Sequence, residues 1–258
     1  MRLMKRILSA AAALALSASL LVGCSSGTAS SVPVSASSAA ESTVSSVEET
    51  ASSAVDENEA AAAQLLNDLT GSYQELWPVI LADEYKQTWL DDCTALVGED
   101  NAEAAFEKLS SMVTGDVYGE DAVKAYANGG GAYFCGFTNS LAILTFDGET
   151  STISGTDKDG NVLFSHTYHY IGMEPVHGLY EFESDDADSG EFTYFFLAPD
   201  TSAETYHIEF RYGSDAEALS QYDTGEYAYW LASGISTDCD QTMIDNCIEL
   251  FCTENLAG

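Results

Sequence analysis

In the C-terminal half of this chain, apolar and aromatic side chains recur at every second position in short runs, a period that admits pleated strands with one buried face. The runs are 132–138, 141–146, 150–156, 162–171 and 178–183, and Asp147-Gly148, Asp159-Gly160 and Ser189-Gly190 punctuate the series as hairpin turns. Several short antiparallel strands at regular spacing predict a barrel or a sandwich. The densest stretch is 192–212. There Phe192, Tyr194 and Phe196 alternate with Thr193 and Phe195, and Tyr206, Ile208 and Phe210 alternate with His207, Glu209 and Arg211. On a strand the last three share one face, which reads either as a ligand site holding an imidazole and a carboxylate or as a solvated strand face.

The segment ahead of the strands is helical. Residues 61–69 form a helix that Gly71 ends, and 77–81 and 85–96 carry Trp77, Ile80, Leu81, Tyr85, Trp89 and Leu96 at helical spacing. Residues 101–112 start on Asn101 as an N-cap and place Ala105, Phe106, Leu109 and Met112 on one stripe. These aromatic and methionine side chains read as core. The chain closes with 216–219, 227–232 and a helix at 240–252, capped by Thr237 or Asp238 and burying Met243, Ile244, Cys247, Leu250 and Phe251.

Residues 1–60 stand apart. Arg2, Lys5 and Arg6 precede an apolar run at 7–22 that ends in Leu21-Val22-Gly23-Cys24, the order of an export signal. The run is about sixteen residues, short of the ~20 that span a bilayer as a helix. Leu21-Val22-Gly23-Cys24 resembles the bacterial lipobox, which implies cleavage of the signal peptide 1–23 and a lipid on the Cys24 sulfur. Residues 24–60 contain no aromatic side chain and consist largely of Ser, Ala, Thr, Val and Glu. Such a composition cannot bury enough apolar area to offset its conformational entropy, so it predicts a flexible tether. The folded domain, 61–258, is then held at the membrane on its extracytoplasmic face.

Three of the eight basic residues lie in the signal, leaving Lys86, Lys108, Lys124, Lys158 and Arg211 against 42 acidic ones. A surface that negative repels phosphate backbones and excludes nucleic acid as a partner. It concentrates divalent cations nearby without making a site for them. Besides Cys24, the cysteines are Cys93, Cys135, Cys239, Cys247 and Cys252, an odd number that leaves at least one unpaired. Cys247 and Cys252 fall about 140° apart on a helix, which suits no zinc site made by those two alone. A bridge from Cys93 to the C-terminal helix is one open arrangement, and buried thiols are another.

No enzyme motif occurs: there is no G-x-S-x-G, no H-E-x-x-H and no G-x-x-x-x-G-K, and Gly129-Gly130-Gly131 lacks the lysine of a phosphate loop. The chain therefore reads as a binding protein and not an enzyme. Asp157-Lys158-Asp159-Gly160-Asn161 starts like a calcium loop, yet Val162 and Tyr168 stand where that loop needs Gly and Glu, so a hairpin turn explains it better. Residues 185–191 read as an acidic solvated loop.

Several strings together resemble the ZinT family of cadmium- and zinc-induced periplasmic proteins. Leu69-Thr70-Gly71-Ser72-Tyr73-Gln74 is similar to the family's D-W-x-G-x-W-Q, and Val123-Lys124-Ala125-Tyr126 to its Y-K-x-Y-Y. Tyr168-His169-Tyr170-Ile171-Gly172, Leu179-Tyr180-Glu181-Phe182-Glu183 and Tyr206-His207-Ile208 are similar to Y-x-Y-x-G, R-Y-L-F-E and H-F-H-I. The match covers nearly all of 65–254. It implies an α+β, mainly β, architecture: a calycin- or lipocalin-like antiparallel β-barrel with flanking helices. It also implies a divalent metal, zinc, bound at the barrel mouth and supplied to a metal ABC importer.

Three histidines hold zinc in that family, one from F-S-D-H and two from H-x-H. Here Thr205 occupies the first position of H-x-H and His207 the second, while F-S-D-H becomes Phe196-Leu197-Ala198-Pro199-Asp200. The candidate metal ligands are therefore His207, Glu209 on the same face, Asp200, and one of His169 or His177. His166 and His169 are three apart on one strand and point to opposite faces. The alternative reading is a module that has lost its metal. In that case a barrel lined by Tyr168, Tyr170, Tyr180, Phe192, Tyr194 and Tyr206 takes a small organic ligand or serves a protein partner.

Overall fold

A strand carries rows of unpaired backbone groups on both edges, and a set of antiparallel strands satisfies them all only when the last pairs with the first. In the computed structural model, which describes residues 57–257, eight strands do so. They are β1 (Gly71–Glu75), β2 (Ile143–Asp147), β3 (Thr152–Thr156), β4 (Val162–Met173), β5 (Tyr180–Ser184), β6 (Tyr194–Leu197), β7 (Ile208–Gly213) and β8 (Ala232–Ser236). Each pairs antiparallel with its successor, and β8 pairs with β1 through Tyr73↔Ser236 and Glu75↔Gly234. The strands thus make a closed calycin- or lipocalin-like barrel and not a sandwich. The export signal, Cys24 and residues 24–56 of the expected tether lie outside the described residues.

Rings fill the inside. Phe164 on β4 and Phe195 on β6 are not on neighbouring strands, yet their centroids lie 5.9 Å apart across the inner face of the barrel. Phe195 stacks on Tyr212 at 5.4 Å, and Phe164 on Phe192 at 4.0 Å. Tyr168, Phe182 and Phe210 are buried beside them.

The closing strands differ from the sequence expectation. Residues 71–75 carry a single buried side chain, Tyr73, so no period shows. The preceding helix ends at residue 68, ahead of Gly71, which at φ 145° is the first residue of β1 and not the helix stop expected of it. Residues 132–138 form isolated bridges, Phe134 to Thr114 and to Trp230, in place of a strand. Residues 216–219 are a short helix, and the last strand begins at Ala232 where the expected run 227–232 ends. Ser189-Gly190 opens a single 3-10 turn, Gly190–Phe192, so Phe192 stands outside β6.

The helices are α1 (57–68), α2 (Leu76–Ile80), α3 (Lys86–Val97), α4 (Glu99–Val113), α5 (Glu120–Ala125), α6 (Ser202–Thr205), α7 (Ala216–Leu219) and α8 (Gln241–Leu256). Residues 57–60, expected in the tether, belong to α1. The helix expected at Asn101 starts two residues earlier, directly after Gly98 at φ 83°, so a glycine turn and not an Asn cap sets its start. Asp240 caps α8 by accepting from the Met243 N–H at 2.9 Å, in the role expected of Thr237 or Asp238.

α2, α3, α4 and α8 form one layer. Phe251 of α8 meets Trp77 of α2 at 5.0 Å and Trp89 of α3 at 5.8 Å, edge to face, and Phe106 of α4 meets Trp89 at 5.6 Å. These rings are core, as their spacing indicates. α1 docks on the β2–β3 turn. Thr70 Oγ1 accepts from the Gly148 N–H at 3.0 Å, and a Cβ on Gly148 would stand 2.4 Å from the Asn67 Cα.

Candidate functional site

The site begins with one strained residue. α6 ends at Thr205, and Tyr206 then takes φ 64°, a left-handed conformation that costs a bulky side chain roughly 1–3 kcal/mol. Tyr206 is consequently a turn residue and not the first position of the strand, which starts at Ile208. The turn brings the Thr205 carbonyl to His207 Nδ1 at 2.6 Å, and Thr205 Oγ1 donates to the His207 carbonyl at 3.0 Å. A carbonyl only accepts, so Nδ1 carries a proton and Nε2 is the nitrogen turned toward Glu209. Nε2 lies 3.9 Å from Glu209 Oε1, an ion-pair distance beyond hydrogen-bond reach.

The reading of this face as solvated does not survive: His207 is 1% and Glu209 4% exposed, and all of β7 is buried. Ile208, Phe210 and Tyr212 look into the barrel, while His207 and Glu209 look toward the helical layer, where Cys247 of α8 reaches the imidazole. Burial on its own would lower the pKa of His207. The Cys247 thiol and the Glu209 carboxylate outweigh it and raise the value to about 9. Ser233 on β8 pairs directly across from Glu209. Burial, and the Glu209 charge, push the Cys135 thiol well up.

Arg211, fully buried two positions on, is a structural cation. Its guanidinium donates to the carbonyls of Leu219, Gln221 and Tyr227 and lies over the Tyr222 ring at 4.3 Å. It thereby fixes the 219–227 segment against β7.

The other candidates are placed elsewhere. Asp200 lines a cleft of about 160 Å³ with Glu204, Thr205, Leu250 and Glu254, so it adjoins the His207 turn through Thr205. His169 is half exposed and pairs with Asp185 at 2.8 Å, while His166, on the other face of β4, pairs with Asp186 at 2.7 Å. His177 is buried with Glu174 at 3.4 Å and lies against Tyr222, ring centroids 3.9 Å apart. Glu174 also accepts the Val176 and His177 N–H groups at 2.9 and 2.6 Å. Among the described residues no group of three or more His, Cys, Asp or Glu side chains is arranged to hold a metal ion. Two contacts escape sequence reasoning. Cys247 reads from its spacing only as helix core, and Glu174 lies in a stretch with no motif.

Fold and site together define a class: a calycin-like barrel with a buried imidazole–carboxylate pair beneath a C-terminal helix. No protein-family model and no curated protein matches the chain. Among solved structures it is similar to the Zn(II)-bound ZinT-like domain of Streptococcus pneumoniae AdcA, at 15% identity and a TM-score of 0.45, over 71% of this chain and 89% of that one. It is also similar to Zn(II)-bound AdcA from the same organism, at 14% identity and a TM-score of 0.42, over 72% of this chain and 35% of that one.

Proposed function

We propose that this chain is a ZinT-like extracytoplasmic module, lipid-anchored at Cys24 on a tether that runs up to α1, that binds a divalent metal ion, zinc first, at His207 and Glu209 and supplies it to an importer. The observation that carries the reading is the strained Tyr206 turn, which fixes the tautomer of a buried histidine and aims its Nε2 at a buried carboxylate. Strain of that kind persists where it serves a site. Two donors of one tetrahedral zinc stand about 3.4 Å apart. The observed 3.9 Å therefore needs a closure of about half an ångström, within the reach of a side-chain rotation.

The residues fit a metal only in part. His207 and Glu209 supply two donors, Asp200 sits in the adjoining cleft, and His169 and His177 are engaged with Asp185 and Glu174. Three or four protein ligands are usual for zinc, so binding here is weak. The reading of the barrel as a pocket for a small organic ligand has no comparable support, because stacked rings occupy its inner face.

Zinc titration of a soluble form beginning after Cys24, against a competing chelator, tests the proposal. Micromolar to sub-millimolar binding is expected, weakened at least tenfold in His207→Ala and Glu209→Gln. Because zinc must displace the Nε2 proton, affinity should rise with pH toward about 9. Binding no tighter than millimolar, or unchanged in His207→Ala, would sink the metal reading.

A further inference from the structure

We propose that Cys93 of α3 and Cys252 of α8 form a disulfide that clamps the helical layer to the end of the chain. Their Sγ atoms lie 3.9 Å apart, both residues are 0% exposed, and Trp89 against Phe251 seats the same two helices on each other. A disulfide needs about 2.05 Å between the sulfurs, so forming the bond draws the two sulfurs together from the observed 3.9 Å. Of the other three thiols among the described residues, Cys239 is only partly buried and two are engaged otherwise. Cys135 donates to the Tyr133 carbonyl at 3.7 Å, and Cys247 faces His207. Pairing Cys93 with Cys252 therefore leaves the candidate metal site its sulfur neighbour.

The chemistry is thiol–disulfide exchange. One thiolate attacks a disulfide oxidant and forms a mixed disulfide, and the second thiolate displaces the oxidant's other sulfur. The cysteines lose two electrons and two protons, and the oxidant leaves as two thiols. Burial pushes both thiols up, so the docked pair is a poor nucleophile. The bond consequently forms while the chain folds, before α8 seats, in a compartment that holds oxidised dithiols. Only that last point rests on the extracytoplasmic placement proposed above.

The test uses the full mature chain refolded in a buffer of oxidised and reduced glutathione, with digestion by a glutamate-specific protease and no reductant. Cleavage after Glu84, Glu99, Glu249 and Glu254 isolates Cys93 in 85–99 and Cys252 in 250–254, apart from Cys239 and Cys247. The expected result is the linked pair of peptides, lost on reduction, together with a midpoint of thermal unfolding that reductant lowers by about 5 °C or more. In Cys93→Ser that midpoint should not respond to reductant. If both peptides carry alkylatable thiols after oxidative refolding, or if Cys252 is joined to another cysteine, the proposal is overturned. The peptide map of the unsubstituted protein decides this even where Cys93→Ser does not fold. It involves no metal, so its outcome is independent of the zinc titration.

Discussion

Glu174 has no exposed surface, yet it is held as a carboxylate. Burial alone would raise its pKa, but the His177 side chain and the N–H groups of His177 and Val176 together bring it below the usual carboxylate range. A folded value below the unfolded one means that this contribution to stability is present above the unfolded pKa, near pH 4.5. It is lost as pH falls through the folded value. Glu174→Gln keeps the shape but loses the charge and one of the strong acceptor oxygens, so we expect it to cost about 1–3 kcal/mol at pH 7 and less at pH 3. Urea unfolding of both forms at the two pH values checks this, and an equal penalty at both would contradict the assigned role. At this scale the sequence yields part of the site. His207 and Glu209 are two apart in an alternating run, which predicts their shared side, although His207 stands in the bend just ahead of β7 and is held there by the Tyr206 turn. Cys247 reaches His207 only through the docking of α8, which no local spacing encodes, whereas Glu174 meets Val176 and His177 within its own turn, in a string that matches no motif.

For whole elements, what could be read depended on how many apolar side chains each one buries. β4 offers Phe164 and Tyr168, and β6 buries Phe195, Phe196 and Leu197, so their pattern stands out. β1 and β8 do not stand out. Gly234 of β8 lies so close to Ile208 and Tyr73 that a Cβ would meet them at 3.1 and 3.3 Å, and the packing there selects small residues over a legible apolar stripe. The same logic applies to the α1 docking point. Gly148→Ala drives a methyl into the α1 backbone at Asn67, where neither side can yield cheaply, so α1 must lift off the β2–β3 turn. We expect a loss of about 2–4 kcal/mol in global stability or, if α1 detaches alone, faster amide exchange confined to 57–70. Wild-type exchange in that segment would contradict the docking described for α1.

For the molecule as a whole, charge is the dominant unbalanced term. Arg211 is buried, so surface cations among the described residues are lysines, and the ion pairs of Lys124 and Lys158 are largely exposed and contribute little. The acidic surface therefore repels itself without local compensation. Raising sodium chloride from 10 mM to 0.5 M shortens the screening length from roughly 30 Å to about 4 Å, and the thermal midpoint should climb by several degrees. A midpoint that stays level or drops with salt would mean that specific pairs, and not net repulsion, govern the surface.

The seam between β1 and β8 has a further consequence for the order of events. The strand that opens the barrel in sequence can find its second neighbour only after the last strand has been delivered, so ring closure waits until Ser236 has emerged. A nascent copy must meanwhile present two bare edges, those of β1 and β7. β1, a five-residue strand that carries glycine and serine, is a poor template for a stranger's backbone, which protects that edge from sticking to its neighbours during the interval.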